Sequence, residues 1–208
     1  MSKYTSPFYS IYHWITQQLP KVYWRNQHVL TDEEKDALAK QLAAGYYIIL
    51  TGNKFHLGSV IVSFLSWVKT GKWSRYTHAL MNCDNITDPS SREAYKFIEA
   101  DVNGVVYTTF DKVFKCSAVC LLSPNHITNE DWTKIIDSLL TEIGRPYDDL
   151  FDLADSSRLS CVEVVLNALK AADYSDEFKN LDAMIKSVGN LVPQMYRECP
   201  DFVVVLEK

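Results

Sequence analysis

The chain has 208 residues, of which 47% are apolar and 12% aromatic, with a formal net charge of −5. That is enough apolar material to bury a full core in one generous domain, which excludes a disordered chain. The 21 lysines and arginines are scattered and form no basic stripe, which argues against nucleic acid as a partner.

Residues 1–30 are aromatic and irregular, with a helix expected from Pro7 to Gln18. Thr31-Asp32-Glu33-Glu34 reads as a capping box opening a helix to about Ala44, and Gly45 is its stop. Tyr46 to Leu50 is aromatic and β-branched, so a strand is expected, and residues 51–54 turn the chain. An apolar helix follows from Leu57 to Lys69 and ends at Gly71. Tyr76 to Asn82 and Tyr95 to Asp101 read as strands. Asn103-Gly104 predicts a tight hairpin, because both residues tolerate positive φ, with Val105 to Phe110 returning from it. Cys116 to Leu122 is a further apolar strand. Thr128 to Asp131 opens a helix to Ile143 that stops at Gly144, and an aspartate-rich loop runs to Leu159. Ser160 to Glu163 opens another helix to about Ala172, Asp176 to Ser187 is expected to be helical, and Phe202 to Leu206 closes as a strand. Helices, then a block of antiparallel strands, then helices predict an α+β fold rather than a doubly wound sheet.

The N-terminus lacks a basic region followed by an apolar run and a small-residue cleavage site. The longest apolar stretch, Leu57 to Val68, is shorter than the ~20 residues that span a bilayer. A cytoplasmic location is therefore expected. The five cysteines, Cys83, Cys116, Cys120, Cys161 and Cys199, show no C-x2-C spacing, so neither a metal site nor a cofactor is expected. Unpaired thiols fit a reducing compartment.

Cys161 stands out. If Ser160 caps its helix through its hydroxyl and Glu163 reaches back to the Ser160 amide, Cys161 is the first helical residue. Unpaired amides and the helix dipole favour a thiolate there, and the Cys161 N–H points where an oxyanion would form. The alternative is an inert buried cysteine, and the local pattern weighs the two about equally. His78 sits mid-strand in Tyr76-Thr77-His78-Ala79-Leu80, where a lone histidine is ordinarily structural. A partner changes that balance. A hairpin centred on Asp88-Pro89 would place Glu99 directly opposite His78, with the carboxylate holding one imidazole nitrogen and the other free to take the thiol proton.

Gly144-Arg145-Pro146-Tyr147-Asp148-Asp149, followed by Leu159-Ser160-Cys161-Val162-Glu163-Val164, resembles the nucleophile segment of the NlpC-type papain-like superfamily. The nearer resemblance is to its circularly permuted branch, the YaeF/YiiX-like amidases, in which the histidine precedes the cysteine. Ala44 to Thr51, Arg75 to Ala79, Phe97 to Ala100 with Gly104-Val105, and Pro193 with Pro200-Asp201-Phe202 resemble further segments of that branch in the same order. Val162 and Val164 depart from its usual serine and leucine.

The resemblance covers roughly residues 44–206, leaving 1–43 as an N-terminal helical extension before a papain-like catalytic domain over 44–208. It implies an antiparallel sheet packed on the cysteine-bearing helix, and amide hydrolysis through a thioester. Cys161 would be the nucleophile, His78 the base and Glu99 its orienting carboxylate. Tyr147 matches an oxyanion-holding tyrosine, with a core-packing loop tyrosine as the equal alternative. The implied substrates are small amides, cell-wall peptides or lipids, with peripheral membrane or cell-wall contact. A phage-encoded origin would reconcile a cell-wall substrate with the missing export signal. Two other functions fit the same pattern: lipid acyl transfer of the lecithin:retinol acyltransferase type, with the apolar helix at Leu57 facing an acyl chain, and a non-catalytic binding module.

Overall fold

The computed structural model describes residues 29–53, 57–84, 92–148, 155–171, 178–189 and 191–208. The helix expected from Pro7 to Gln18 and the turn at Asp88-Pro89 lie outside these residues. In chain order the elements are α1 (Asp32–Leu42), β1 (Ile48–Gly52), α2 (Leu57–Thr70), β2 (His78–Asn82), β3 (Lys96–Asp101), β4 (Gly104–Thr109), the single-turn α3 (Phe110–Val113) and β5 (Ala118–Pro124). There follow α4 (Asn129–Thr141), α5 (Cys161–Lys170), α6 (Lys179–Val188), α7 (Pro193–Glu198) and β6 (Phe202–Glu207). The strands form one six-stranded sheet in the order β4-β3-β2-β1-β5-β6, with all neighbours antiparallel. The class is α+β, as expected.

Strand alternation divides the interior into two cores. Ile48, Leu50, Ala79, Met81, Ile98 and Ala100 face one side, where they pack with Trp132 of α4, Val162 and Val165 of α5, and Tyr196 of α7. Ile49, Leu80, Phe97, Val119 and Leu121 face the other, against Leu38, Ala39 and Leu42 of α1 and Phe110 and Val113 of α3. Because β1 is covered on both faces, it reads as a continuous apolar run rather than an alternating one.

The second core is aromatic: Phe97 meets Phe114 edge-on with ring centroids 5.7 Å apart, and Phe110 lies 4.5 Å from Phe114. Tyr95 donates its hydroxyl to the Ala39 carbonyl at 2.7 Å. Helix α1, which sequence places in an N-terminal extension, is thus part of the domain's own interior. Its start is the expected reciprocal box: Thr31 N–H donates to Glu34 Oε2 at 2.9 Å and Glu34 N–H to Thr31 Oγ1 at 3.2 Å.

The β3–β4 hairpin forms, but one residue off the expected turn. Asp101 pairs with Gly104, so Val102 and Asn103 make the turn and Gly104 starts the return strand at φ 98°. The cause is a close approach: a Cβ at Gly104 would lie 2.3 Å from the Arg145 carbonyl oxygen. Val105 N–H donates to that carbonyl at 2.8 Å, and Gly144 N–H donates to Val105 O at 2.8 Å. Two backbone bonds therefore fasten the segment leading to Tyr147 onto the mouth of β4.

Candidate active site

Cys161 is the first residue of α5, and His78 is the first residue of β2. Helix α5 packs across β2 and β3, which brings its first turn to the mouth of β2. Ser160 and Glu163 form the capping box that sets where the helix begins. The Ser160 N–H donates to Glu163 Oε2 at 2.8 Å. The reverse arm is weaker than expected: Ser160 Oγ, though buried, makes no hydrogen bond. A second anchor comes from α7, where the buried Tyr196 donates its hydroxyl to the Val162 carbonyl at 2.9 Å.

The Cys161 thiol lies close enough to the His78 imidazole to act on it, and Glu99 hydrogen-bonds the ring. His78 Nε2 and Glu99 Oε2 are 2.7 Å apart, which leaves Nδ1 as the nitrogen open to the thiol. The Glu99 side chain is 8% exposed and that of His78 is 26% exposed. The expected register is corrected here. Glu99 lies directly opposite Leu80, not His78. The slip is two residues, an even number, so Glu99 still projects from the face His78 uses and reaches it diagonally.

The other carboxylate oxygen of Glu99 is also occupied. Lys112 Nζ, on α3, donates to Glu99 Oε1 at 2.6 Å and to Asp101 Oδ2 at 3.0 Å. Sequence gave no sign of Lys112, because its place depends on α3 folding back over β3 as a single turn. The buried Glu99 is thereby held between two cations.

These contacts set the charges. Burial alone would lower the His78 pKa, but its interactions with Cys161 and with the Glu99 carboxylate outweigh it and push it up to about 10. Burial alone would raise Glu99, but His78 and then Lys112 hold it down to about 2. At neutral pH the resting histidine is an imidazolium between two acids. The remaining thiols are pushed up, chiefly by burial: Cys83 to about 11, and Cys116, Cys120 and Cys199 to about 12.

Tyr147 is paired in a short parallel bridge with Leu159, two residues ahead of Cys161, and packs against the first core. The bridge is secured by Leu159 N–H donating to Pro146 O at 3.0 Å and Asp148 N–H to Leu159 O at 3.1 Å. The backbone thus sets Tyr147 beside Leu159, two residues ahead of Cys161, while its ring serves the packing that was the alternative expectation.

No protein-family model matches the chain. No curated protein matches it either. Among solved structures, it is similar to the metalloprotein yiiX from Escherichia coli O157:H7, with a TM-score of 0.55 and 19% identity. The match covers 78% of this chain and 96% of that one. At that identity the likeness shows a shared fold.

Proposed function

We propose that this chain is a cysteine hydrolase of amide bonds, on a permuted papain-like arrangement. The observation that carries the reading is the placement of His78, with the Cys161 thiol beside it and Glu99 bonded to its ring at 2.7 Å. Three residues distant in sequence converge as a nucleophile, a proton carrier and an orienting carboxylate.

In the proposed reaction the Cys161 thiolate attacks the amide carbon, and the carbonyl electron pair moves onto oxygen. That oxyanion forms beside the start of α5, where the Cys161 N–H and the helix dipole favour negative charge. The His78 imidazolium gives its proton to the leaving nitrogen, the C–N bond breaks, and a thioester remains. Neutral His78 then takes a proton from water, which attacks the thioester and releases the acid and the thiolate. Glu99, ionised throughout, fixes the ring orientation and favours the imidazolium at each stage. The raised His78 pKa refines the expected role of this residue: it rests as the acid, and becomes a base only for the second half.

The neighbour of known structure is a metalloprotein, but the donor set here does not suit a metal. Among the described residues no group of three or more His, Cys, Asp and Glu side chains is placed to hold one. Glu99 in particular spends both oxygens on His78 and Lys112. No step is therefore routed through a metal.

The test is labelling of the folded protein with an acyl electrophile, followed by turnover of an amide library. An acyl adduct on Cys161 that is lost in His78→Ala, together with release of amine from at least one substrate, is expected. Absence of any adduct on Cys161 while another thiol reacts would return the chain to the binding-module reading.

A further inference from the structure

Among its described side chains, helix α2 turns serines inward and large apolar residues outward. Ser63 and Ser66 are 4% and 0% exposed, whereas Phe64, Trp67 and Val68 are 50%, 51% and 57% exposed. Residues 64, 67 and 68 share one helical face by their spacing, and that face points to solvent. The serines turn inward because they hold the following loop: Ser63 Oγ donates to Ser74 O at 2.9 Å, and Ser66 Oγ to Lys72 O at 3.3 Å. The loop that follows α2 adds a further ring, Trp73, which is 59% exposed. Phe64 and Trp67 rest on each other with centroids 5.9 Å apart. A water-facing helix has the opposite arrangement, and large apolar side chains exposed together on one helical face, with a further exposed tryptophan in the adjoining turn, mark an interaction surface.

Charge identifies the occupant. Residues 37–83 hold no aspartate or glutamate but carry Lys40, Lys54, Lys69, Lys72 and Arg75, so all 26 acidic residues of this net-negative chain lie elsewhere in sequence. Lys72 and Arg75 contact Glu198 at 2.9 Å and Glu207 at 3.4 Å, yet keep 66% and 51% of their side chains exposed beside the aromatic cluster. Tryptophan and phenylalanine flanked by basic residues match the headgroup boundary of an anionic bilayer. At 14 residues α2 is about 21 Å long, too short to cross a hydrocarbon core of about 30 Å, so it would lie along the surface. Glu198 and Glu207 offset part of the basic charge, and the exposed lengths of Lys72 and Arg75 leave their cations able to meet anionic headgroups beside the Trp73 turn.

We propose that the exposed face of α2 and the Trp73 turn dock this protein on an anionic lipid surface. The inference does not depend on the hydrolase chemistry. The experiment is co-sedimentation of the full chain with vesicles of phosphatidylcholine mixed with phosphatidylglycerol, and with phosphatidylcholine alone. Wild type is expected to sediment with the anionic vesicles, several-fold less with the neutral ones, and to be released by added salt. Trp67→Ser with Trp73→Ser is expected to weaken binding about tenfold or more while leaving the thermal midpoint nearly unchanged, since both rings are half exposed. As a check without variants, lipids brominated near the headgroup should quench wild-type tryptophan emission. No sedimentation with anionic vesicles, or equal sedimentation by the double variant, overturns the proposal. So does a concentration-dependent dimer that the double variant abolishes without any vesicle binding, which would assign the face to a second copy of the chain.

Discussion

Glu99 faces Leu80 across the β2–β3 ladder, yet its carboxylate closes on His78, the residue two places earlier, at 2.7 Å. The diagonal reach leaves its second oxygen pointing to Lys112. A directly opposed pair would have set the carboxylate squarely against the ring, whereas this one spans from the strand mouth to α3.

Cys161 is expected to be the first of the five thiols to react. Burial pushes Cys83 to about 11 and Cys116, Cys120 and Cys199 to about 12, so each is almost wholly protonated at neutral pH. Iodoacetamide labelling of the folded protein with peptide mapping checks this, and faster labelling of Cys83 or Cys199 would remove the basis for Cys161 as nucleophile.

Cys161→Ala is expected to abolish turnover, and His78→Ala to lower it by about 10²–10⁴-fold. Glu99→Gln should cost less, because an amide oxygen still orients the ring. Nucleophile and proton carrier act as a unit, so the Cys161→Ala, His78→Ala double variant should be little worse than either alone. Losses that add in the double variant would contradict the shared mechanism. Tyr147→Phe separates the two readings of Tyr147: a fall in kcat at unchanged thermal stability indicates the oxyanion role, while a stability loss alone indicates packing.

The His78–Glu99 pair should give stability a defined pH window. His78 is raised in the fold, so its contribution is complete below its ordinary pKa of about 6.5 and is lost as pH rises through about 10. Glu99 is depressed, so its contribution is complete above its ordinary range near 4.5 and is lost as pH falls toward about 2. The gap in thermal midpoint between wild type and Glu99→Gln is therefore expected to be widest between those ordinary values and to shrink on both sides. A gap independent of pH from 3 to 10 would show that no such coupling exists.

Lys112→Met removes one of the two cations on Glu99. The carboxylate is then held down less firmly, and the acid limb of the stability profile should move up by roughly one pH unit, or less given the 57% exposure of the lysine. The His78 imidazole, relieved of a nearby positive charge, should titrate higher, which an NMR titration of its ring protons reads directly. An unmoved His78 titration would mean that Lys112 acts on Asp101 alone.

Gly104→Ala is expected to destabilise the domain by about 2 kcal/mol or more, because the residue combines a left-handed φ of 98° with a carbonyl oxygen 2.3 Å from where the methyl would sit. Chemical denaturation measures it, and a loss below about 0.5 kcal/mol would show that the β4 mouth and the Gly144–Arg145 segment separate readily.

Much of the framework was legible in sequence because it is written in local chemistry. The Thr31–Glu34 and Thr128–Asp131 boxes open their helices as expected, and Ser160 to Glu163 places Cys161 at a helix start. What escaped was set by contacts distant in sequence. The β2–β3 register could not be read from a turn guess, and only the parity of the error kept His78 and Glu99 together. Lys112 required α3 to fold back over β3. The inward serines of α2 look like ordinary interruptions of an apolar run until the loop they hold is known.

The seating of α1 on the aromatic floor of the second core bears on where this protein may be cut. A version trimmed to begin at residue 44, where the family resemblance starts, would strip the cover of Leu38, Ala39 and Leu42 from Leu80, Tyr95 and Phe97 and take away the acceptor of the Tyr95 hydroxyl. Such a fragment would expose the sheet face from which His78 and Glu99 themselves project, and expression would yield aggregate rather than a minimal folded domain. The shortest unit worth producing starts no later than Leu30, whose N–H donates to the Cys116 carbonyl at 3.3 Å.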